Sequence, residues 1–106
     1  MAEPRRRGGK PTAVGEALRG YLAKAGLATR LAQAQVIPDW PGLVGPQIAR
    51  VTAPESVTPD GTLFVRVATS PWMTELQLMG PQIMAAINVG RGAGRIKTIR
   101  WLLLQQ

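Results

Sequence analysis

The sequence predicts an α+β fold, a three-stranded sheet with helices on one face, in the order α-α-β-β-α-β. Three observations predict it. Apolar residues recur every three or four positions over residues 12–37 and 70–88, which is helical spacing. They alternate over residues 62–68 and 95–103, which is strand spacing. The turn Pro59-Asp60-Gly61 joins the first of these strands to a shorter one before it.

The elements follow in order along 106 residues, enough for one domain with one core. Residues 1–11, opening MAEPRRRGGK, are charged and poor in apolar side chains, and read as a disordered basic arm before a single domain at 12–106. Thr12 caps a first helix that reaches about Ala25. Val14, Leu18, Tyr21, Leu22 and Ala25 share one of its faces, and Gly26 ends it. A second helical stretch runs over residues 28–37, and Pro38 interrupts it. Asp39 then caps a short, kinked segment that begins Trp40-Pro41 and meets Gly45-Pro46.

Residues 56–58 pair with residues 62–68 across the turn. Leu63, Val65 and Val67 share one face, with Phe64 and Arg66 on the other. Ser70 caps the next helix and Pro71 occupies its first turn. Trp72, Leu76, Met79, Ile83 and Ile87 carry that helix to about Asn88, with a bend at Gly80-Pro81. GRGAG is a loop, and residues 95–103 form the last strand, with Ile99, Trp101 and Leu103 on one side.

The inventory of side chains excludes much chemistry. There is no cysteine and no histidine, which removes disulfides, thiolates, imidazole bases and most zinc sites. Ser70 sits at a strand-to-helix turn but has no base assigned to it and no G-x-S-x-G around it, so it reads as a cap. Asp39 and Asp60 have structural duties, and Glu3 lies in the arm. That leaves Glu16, Glu55 and Glu75, which show no motif spacing. The chain is read as no enzyme, with no cofactor and no small-molecule substrate. No apolar run approaches the ~20 residues that cross a bilayer, and no apolar stretch follows the basic N-terminus as in a secretory signal.

Charge points to a polyanion. The net charge is +7, and it sits at the two ends. Arg5, Arg6, Arg7 and Lys10 lie at one end and Arg91, Arg95, Lys97 and Arg100 at the other, while five bases and five acids cancel between them. These eight cations are the candidate nucleic-acid contacts, since Lys and Arg on phosphates release condensed counterions. Charge alone leaves acidic protein and anionic lipid open, and cations also protect an edge strand. GRGAGR fits neither G-x-G-x-x-G nor the Walker spacing, and reads as a connector whose Arg91 and Arg95 can track a phosphate backbone. Gly42-Leu43-Val44-Gly45 has the G-x-x-G form of a backbone clamp, but its apolar middle reads as a kinked helix end. Of the tryptophans, Trp101 is expected in the core and Trp40 between helices. Trp72 is open between core and partner anchor.

The runs W-P-G-L-V-G-P-Q-I-A from Trp40, D-G-T-L-F-V-R-V from Asp60 and S-P-W-M-T-E-L from Ser70 stand in the order found in the DciA family. The chain resembles that family over residues 12–103. The resemblance implies a KH-like fold without catalytic activity, which binds the bacterial replicative helicase DnaB, assists its loading onto DNA and itself binds single-stranded or branched DNA. It implies a cytoplasmic protein working at the nucleoid. By position, Trp72 and Trp40 match tryptophans of the family pattern and are the candidate partner-binding residues. Many relatives carry a further basic tail, whereas this sequence stops at Gln106. The expectation is that residues 4–10 take over from it, or that DNA binding is weaker. The rival reading is a stand-alone KH-like RNA-binding module associated with the ribosome.

Overall fold

The computed structural model describes residues 13–104, so the predicted arm lies outside the described residues. The elements are α1 (Ala13–Ala34), α2 (Val36–Val44), α3 (Pro46–Val51), β1 (Thr52–Val57), β2 (Thr62–Val67), α4 (Ser70–Leu78), α5 (Gly80–Ile87) and β3 (Thr98–Leu103), with a 3-10 turn at Gly92–Gly94. The predicted α+β class is the observed one, and the arrangement is KH-like.

The sheet runs β1-β2-β3. β1 pairs antiparallel with β2, and β3 pairs parallel to it, setting Leu63 beside Ile99, Val65 beside Trp101 and Val67 beside Leu103. Leu63, Val65 and Val67 are buried, as their alternation requires, while Thr62, Phe64 and Arg66 lie on the more open face. The core adds Val36, Trp40 and Ile48 from the first helices, Leu76, Ile83 and Ile87 from the crossover, and Ile96 before β3. Trp101, expected in the core, sits half-buried at its margin.

Several boundaries differ from expectation, each for a local reason. α1 runs unbroken through Gly26, because strong helix formers flank that glycine and outweigh its cost of about 1 kcal/mol. The break comes at Gln35. α2 therefore starts early enough to put Pro38 in its first turn, where a missing N–H removes no helical bond. Asp39 is not a cap; it lies in that first turn and accepts from Gln35 Nε2 at 3.2 Å. Gly45 closes α2 with φ +90°, so the G-x-x-G is indeed a helix end.

β1 starts at Thr52 rather than residue 56. It tolerates Pro54 because it is an edge strand whose register shifts between Pro54 and Ser56. Thr69, not Ser70, caps α4, its hydroxyl accepting from the Trp72 N–H at 3.3 Å. The expected bend at Gly80-Pro81 is a corner between two helices. Pro81 cannot donate to the preceding turn, and the chain pivots at Met79. β3 begins at Thr98 rather than residue 95. Ahead of it, Asn88 clamps Ile96 by donating to its carbonyl at 2.8 Å and accepting from its N–H at 2.6 Å.

The C-terminal end of α1 is attached to the body by close packing and hydrogen bonds. Gly94 lies so close to it that a Cβ there would come within 2.4 Å of Ala32 Cβ. Buried Gln33 donates to the Pro59 carbonyl at 3.2 Å, and Arg30 donates to the Val57 carbonyl at 3.2 Å. Val14, Leu18, Tyr21 and Leu22, the predicted apolar face, are uncovered and 56–78% exposed. Among the described residues no helix is long and apolar enough to cross a membrane.

Gly94→Ala is expected to unseat α1. The overpacked methyl should cost about 1–3 kcal/mol, read as a fall of several degrees in Tm by circular dichroism.

Candidate partner and nucleic-acid interface

The two candidate anchor tryptophans have different fates. Trp40 is 1% exposed, and its Nε1–H donates to Thr52 Oγ1 at 2.8 Å, which in turn donates to the Ile48 carbonyl at 2.7 Å. This corrects the expectation that Trp40 meets a partner: the indole is spent joining α2 to the α3–β1 junction. Trp72 is half-buried in the first turn of α4, where the Thr69 cap fixes the backbone. Pro71, Trp72 and Glu75 line a shallow surface hollow of about 310 Å³. An amphipathic ring at the rim of a core, with an exposed proline and carboxylate beside it, suits a protein contact.

The cations also divide. Arg5, Arg6, Arg7 and Lys10 lie outside the described residues. Arg91 is an internal staple: its guanidinium donates to the carbonyl of Ala32 at 3.0 Å and to that of Ile87, and stands 3.9 Å from the Asp39 carboxylate. With its side chain 10% exposed, it is corrected from phosphate contact to structural link between α1, α2 and α5. A signal for this was present, since arginine just past a helix end often bonds the last carbonyls. Arg66 is paired with Glu55 across the sheet edge.

Arg95, Lys97 and Arg100 remain. All three are exposed and, among the described residues, make no side-chain hydrogen bond or ion pair. The Asn88 clamp on Ile96 sets the backbone between Arg95 and Lys97. The Lys97 N–H donates to the Gly61 carbonyl at 2.8 Å, which brings it beside the β1–β2 turn. Gly61 has φ +90°, which favours glycine, and a Cβ there would meet the Lys97 stem at 3.2 Å. In the same turn the Thr58 hydroxyl bonds the Asp60 carboxylate and holds its pKa below the ordinary 3.8. That contribution to the turn is present above pH 3.8 and lost as pH falls through the depressed value.

Arg100 lies opposite Phe64 in the strand register. It also borders a groove of about 560 Å³ between the α4–α5 corner (Gln77, Gly80, Pro81, Met84) and β3 (Ile99, Trp101). No sequence signal marked this groove, because it comes from the corner at Met79 facing a strand nearly twenty residues later. Among the described residues no cluster of three or more His, Cys, Asp or Glu is placed to hold a metal.

The fold is KH-like, with a half-buried indole at the start of α4 and exposed cations within and just before β3. The chain belongs to the DciA family: the family described as "Dna[CI] antecedent, DciA" matches residues 13–101. It is a family of loaders for the replicative helicase DnaB. A UPF0232 protein of Streptomyces coelicolor is 32% identical over 96 residues, 90% of this chain and 50% of the relative. One from Streptomyces avermitilis is 31% identical over 94 residues, 88% of this chain and 52% of the relative. One from Mycobacterium tuberculosis is 31% identical over 90 residues, 85% of this chain and 48% of the relative. The chain thus spans about half the length of these relatives.

Arg91→Gln should lower stability by about 1–3 kcal/mol in urea unfolding, because buried carbonyls lose their donor. Its effect on the salt dependence of polyanion binding should be small.

Proposed function

We propose that this chain is a non-enzymatic replication factor that binds the replicative helicase DnaB, assists its loading onto DNA, and holds single-stranded or branched DNA through its cations. The observation that carries the reading is the family match over residues 13–101, nearly the whole of the described domain. Trp72, with Pro71 and Glu75, is the proposed helicase contact. Arg95, Lys97 and Arg100 are the proposed DNA contacts on the domain, joined by Arg5, Arg6, Arg7 and Lys10 from an N-terminal arm at residues 1–11. The site of action is the cytoplasm, at the nucleoid.

The mechanism is mass action. A loader that binds the DNA-admitting state of a helicase ring more tightly than the closed state shifts the ring toward admission, by no more than that difference in affinity. Nothing in this requires chemistry at the loader. The alternative, a ribosome-associated RNA-binding module, is supported by the KH-like arrangement alone.

The purified chain should retain helicase in a pull-down, and Trp72→Ala should weaken the complex by about thirtyfold or more, the loss typical of an interface hot spot. Glu75→Arg, exposed in the same hollow, gives the same readout without touching the core. No association with the intact protein would reject the helicase assignment. In DNA binding, three phosphate contacts predict an affinity loss of about twentyfold between 50 and 200 mM salt, and seven contacts a loss of nearly a thousandfold. The larger figure is expected for the intact chain, and the smaller after Arg5, Arg6, Arg7 and Lys10 are replaced by glutamine. A stronger preference for RNA over tailed DNA of equal length would favour the alternative.

A further inference from the structure

The chain's one phenylalanine stands outside the core. Phe64 is in the middle of β2, half-buried, on the face opposite Leu63, Val65 and Val67. It does not join the cluster that α2 to α5 close over those three residues. In the strand register its neighbours are Ser56 on β1 and Arg100 on β3, and Arg66 beside Leu102 lies further along the same face. Neighbouring strands lie about 5 Å apart, so a ligand resting on the ring is within reach of the Arg100 guanidinium. Arg66 is answered by Glu55, whereas Arg100 is exposed and makes no ion pair among the described residues. The centre of the open face holds a ring and an uncompensated cation side by side.

We propose that this face is a stacking platform for an unpaired base of a single-stranded nucleic acid, the base lying on Phe64 and its phosphate meeting Arg100. Resting on the DNA-binding reading above, it assigns the single strand to the open face of the sheet. Ring and charge together select the occupant. Carboxylates of an acidic peptide answer the charge but not the ring. A duplex also answers the charge, but its base faces are stacked inside it and cannot reach Phe64. An unpaired nucleotide supplies both, and stacking on an aromatic ring tolerates any sequence because every base has a π-face. Arg95 and Lys97, exposed just ahead of β3, continue the positive charge for the sugar–phosphate backbone. Asp60, in the turn beside Lys97, is engaged by the Thr58 hydroxyl.

Phe64→Leu keeps an apolar side chain on the sheet and removes the π-face. It should weaken binding to single-stranded oligothymidine about tenfold, with the salt slope and the binding of a duplex unchanged. Phe64→Tyr should restore the affinity. Arg100→Gln should instead flatten the log–log salt slope by about 0.7, the share of one phosphate on a single strand. With 5-iodouracil in the oligothymidine, irradiation should join the base to the tryptic peptide of residues 51–66, whose only aromatic residue is Phe64. That cross-link uses the unaltered sequence, so it stands whatever the variants do to folding. Cross-links in residues 67–91 or 101–106, which hold Trp72 and Trp101, would overturn the proposal. So would a Phe64→Leu variant that loses single strand and duplex alike, or neither. Polyglutamate that binds the chain as tightly as oligothymidine, with the same loss on Phe64→Leu, would assign the face to acidic protein. A chain that binds no DNA at any salt would reject the DNA-binding reading itself, and this site with it.

Discussion

The parallel join between β2 and β3 governs the rest of the molecule. β2 is the central strand, and its Leu63, Val65 and Val67 are fully buried, so it must be covered on that face and bonded on both edges. A neighbour on the second edge that runs parallel cannot arrive by a hairpin; the chain has to cross over. α4 and α5 are that crossover, and their Leu76, Ile83 and Ile87 close the core above β2. Because the crossover lies over one face only, Phe64 and Arg66 are left on the open one. The break at Gly80-Pro81 keeps the two short helices from continuing as a rod, and the corner it makes is one wall of the groove beside β3.

α1 depends on a different kind of contact. Its attached end is held by Gln33 on Pro59, Arg30 on Val57, Arg91 reaching back to Ala32, and the close approach of Gly94. Only Gln33 of this helix is buried among the residues whose exposure is described. Hydrogen bonds at partly exposed sites contribute modestly, about 1 kcal/mol each. α1 is accordingly the element with least apolar anchorage and the first expected to open locally.

These two constraints explain which features were legible in the sequence. The alternation of Leu63, Val65 and Val67, the turn at Asp60-Gly61 and the helical spacing after Pro71 are local patterns, and each appears where it was expected. The misplaced boundaries involve residues whose local preference was outweighed by context. Gly26 is carried by its helix-forming neighbours, Pro38 and Pro54 fall where a missing donor is harmless, and Thr69 takes the cap because the strand ends one residue earlier. Trp40 lies between helices as expected, but what its polar end bonds was not legible, and Arg91 was misread as a phosphate contact, for one shared reason. Each is polar at one end, and its partner, Thr52 for the indole and Ala32 for the guanidinium, is set by tertiary packing rather than by spacing. The groove was illegible because its two walls come from distant segments.

Net charge, too, is a poor measure of available charge. Arg91 is enclosed, Arg66 is paired and Arg30 is bonded to the body; Arg19, Lys24 and Arg50 are exposed elsewhere, and the exposed cations within and just before β3 are Arg95, Lys97 and Arg100. Their location relative to Trp72 has a consequence. Thr62 beside Thr98 marks one end of the β2–β3 ladder, next to Lys97, and Val67 beside Leu103 marks the other, next to the Thr69 cap and Trp72. Five residues of strand separate the two ends, about 17 Å. That exceeds the Debye length at physiological ionic strength, about 8 Å, so charge at Arg95 and Lys97 is largely screened from the Trp72 end, while Arg100 lies between the two in the middle of β3. Under the proposed function, β2–β3 hydrogen bonding would fix the distance between a helicase contact at Trp72 and DNA contacts at Arg95 and Lys97. Such an arrangement needs no moving part in the adaptor, only that neither ligand occludes the other's end of the sheet.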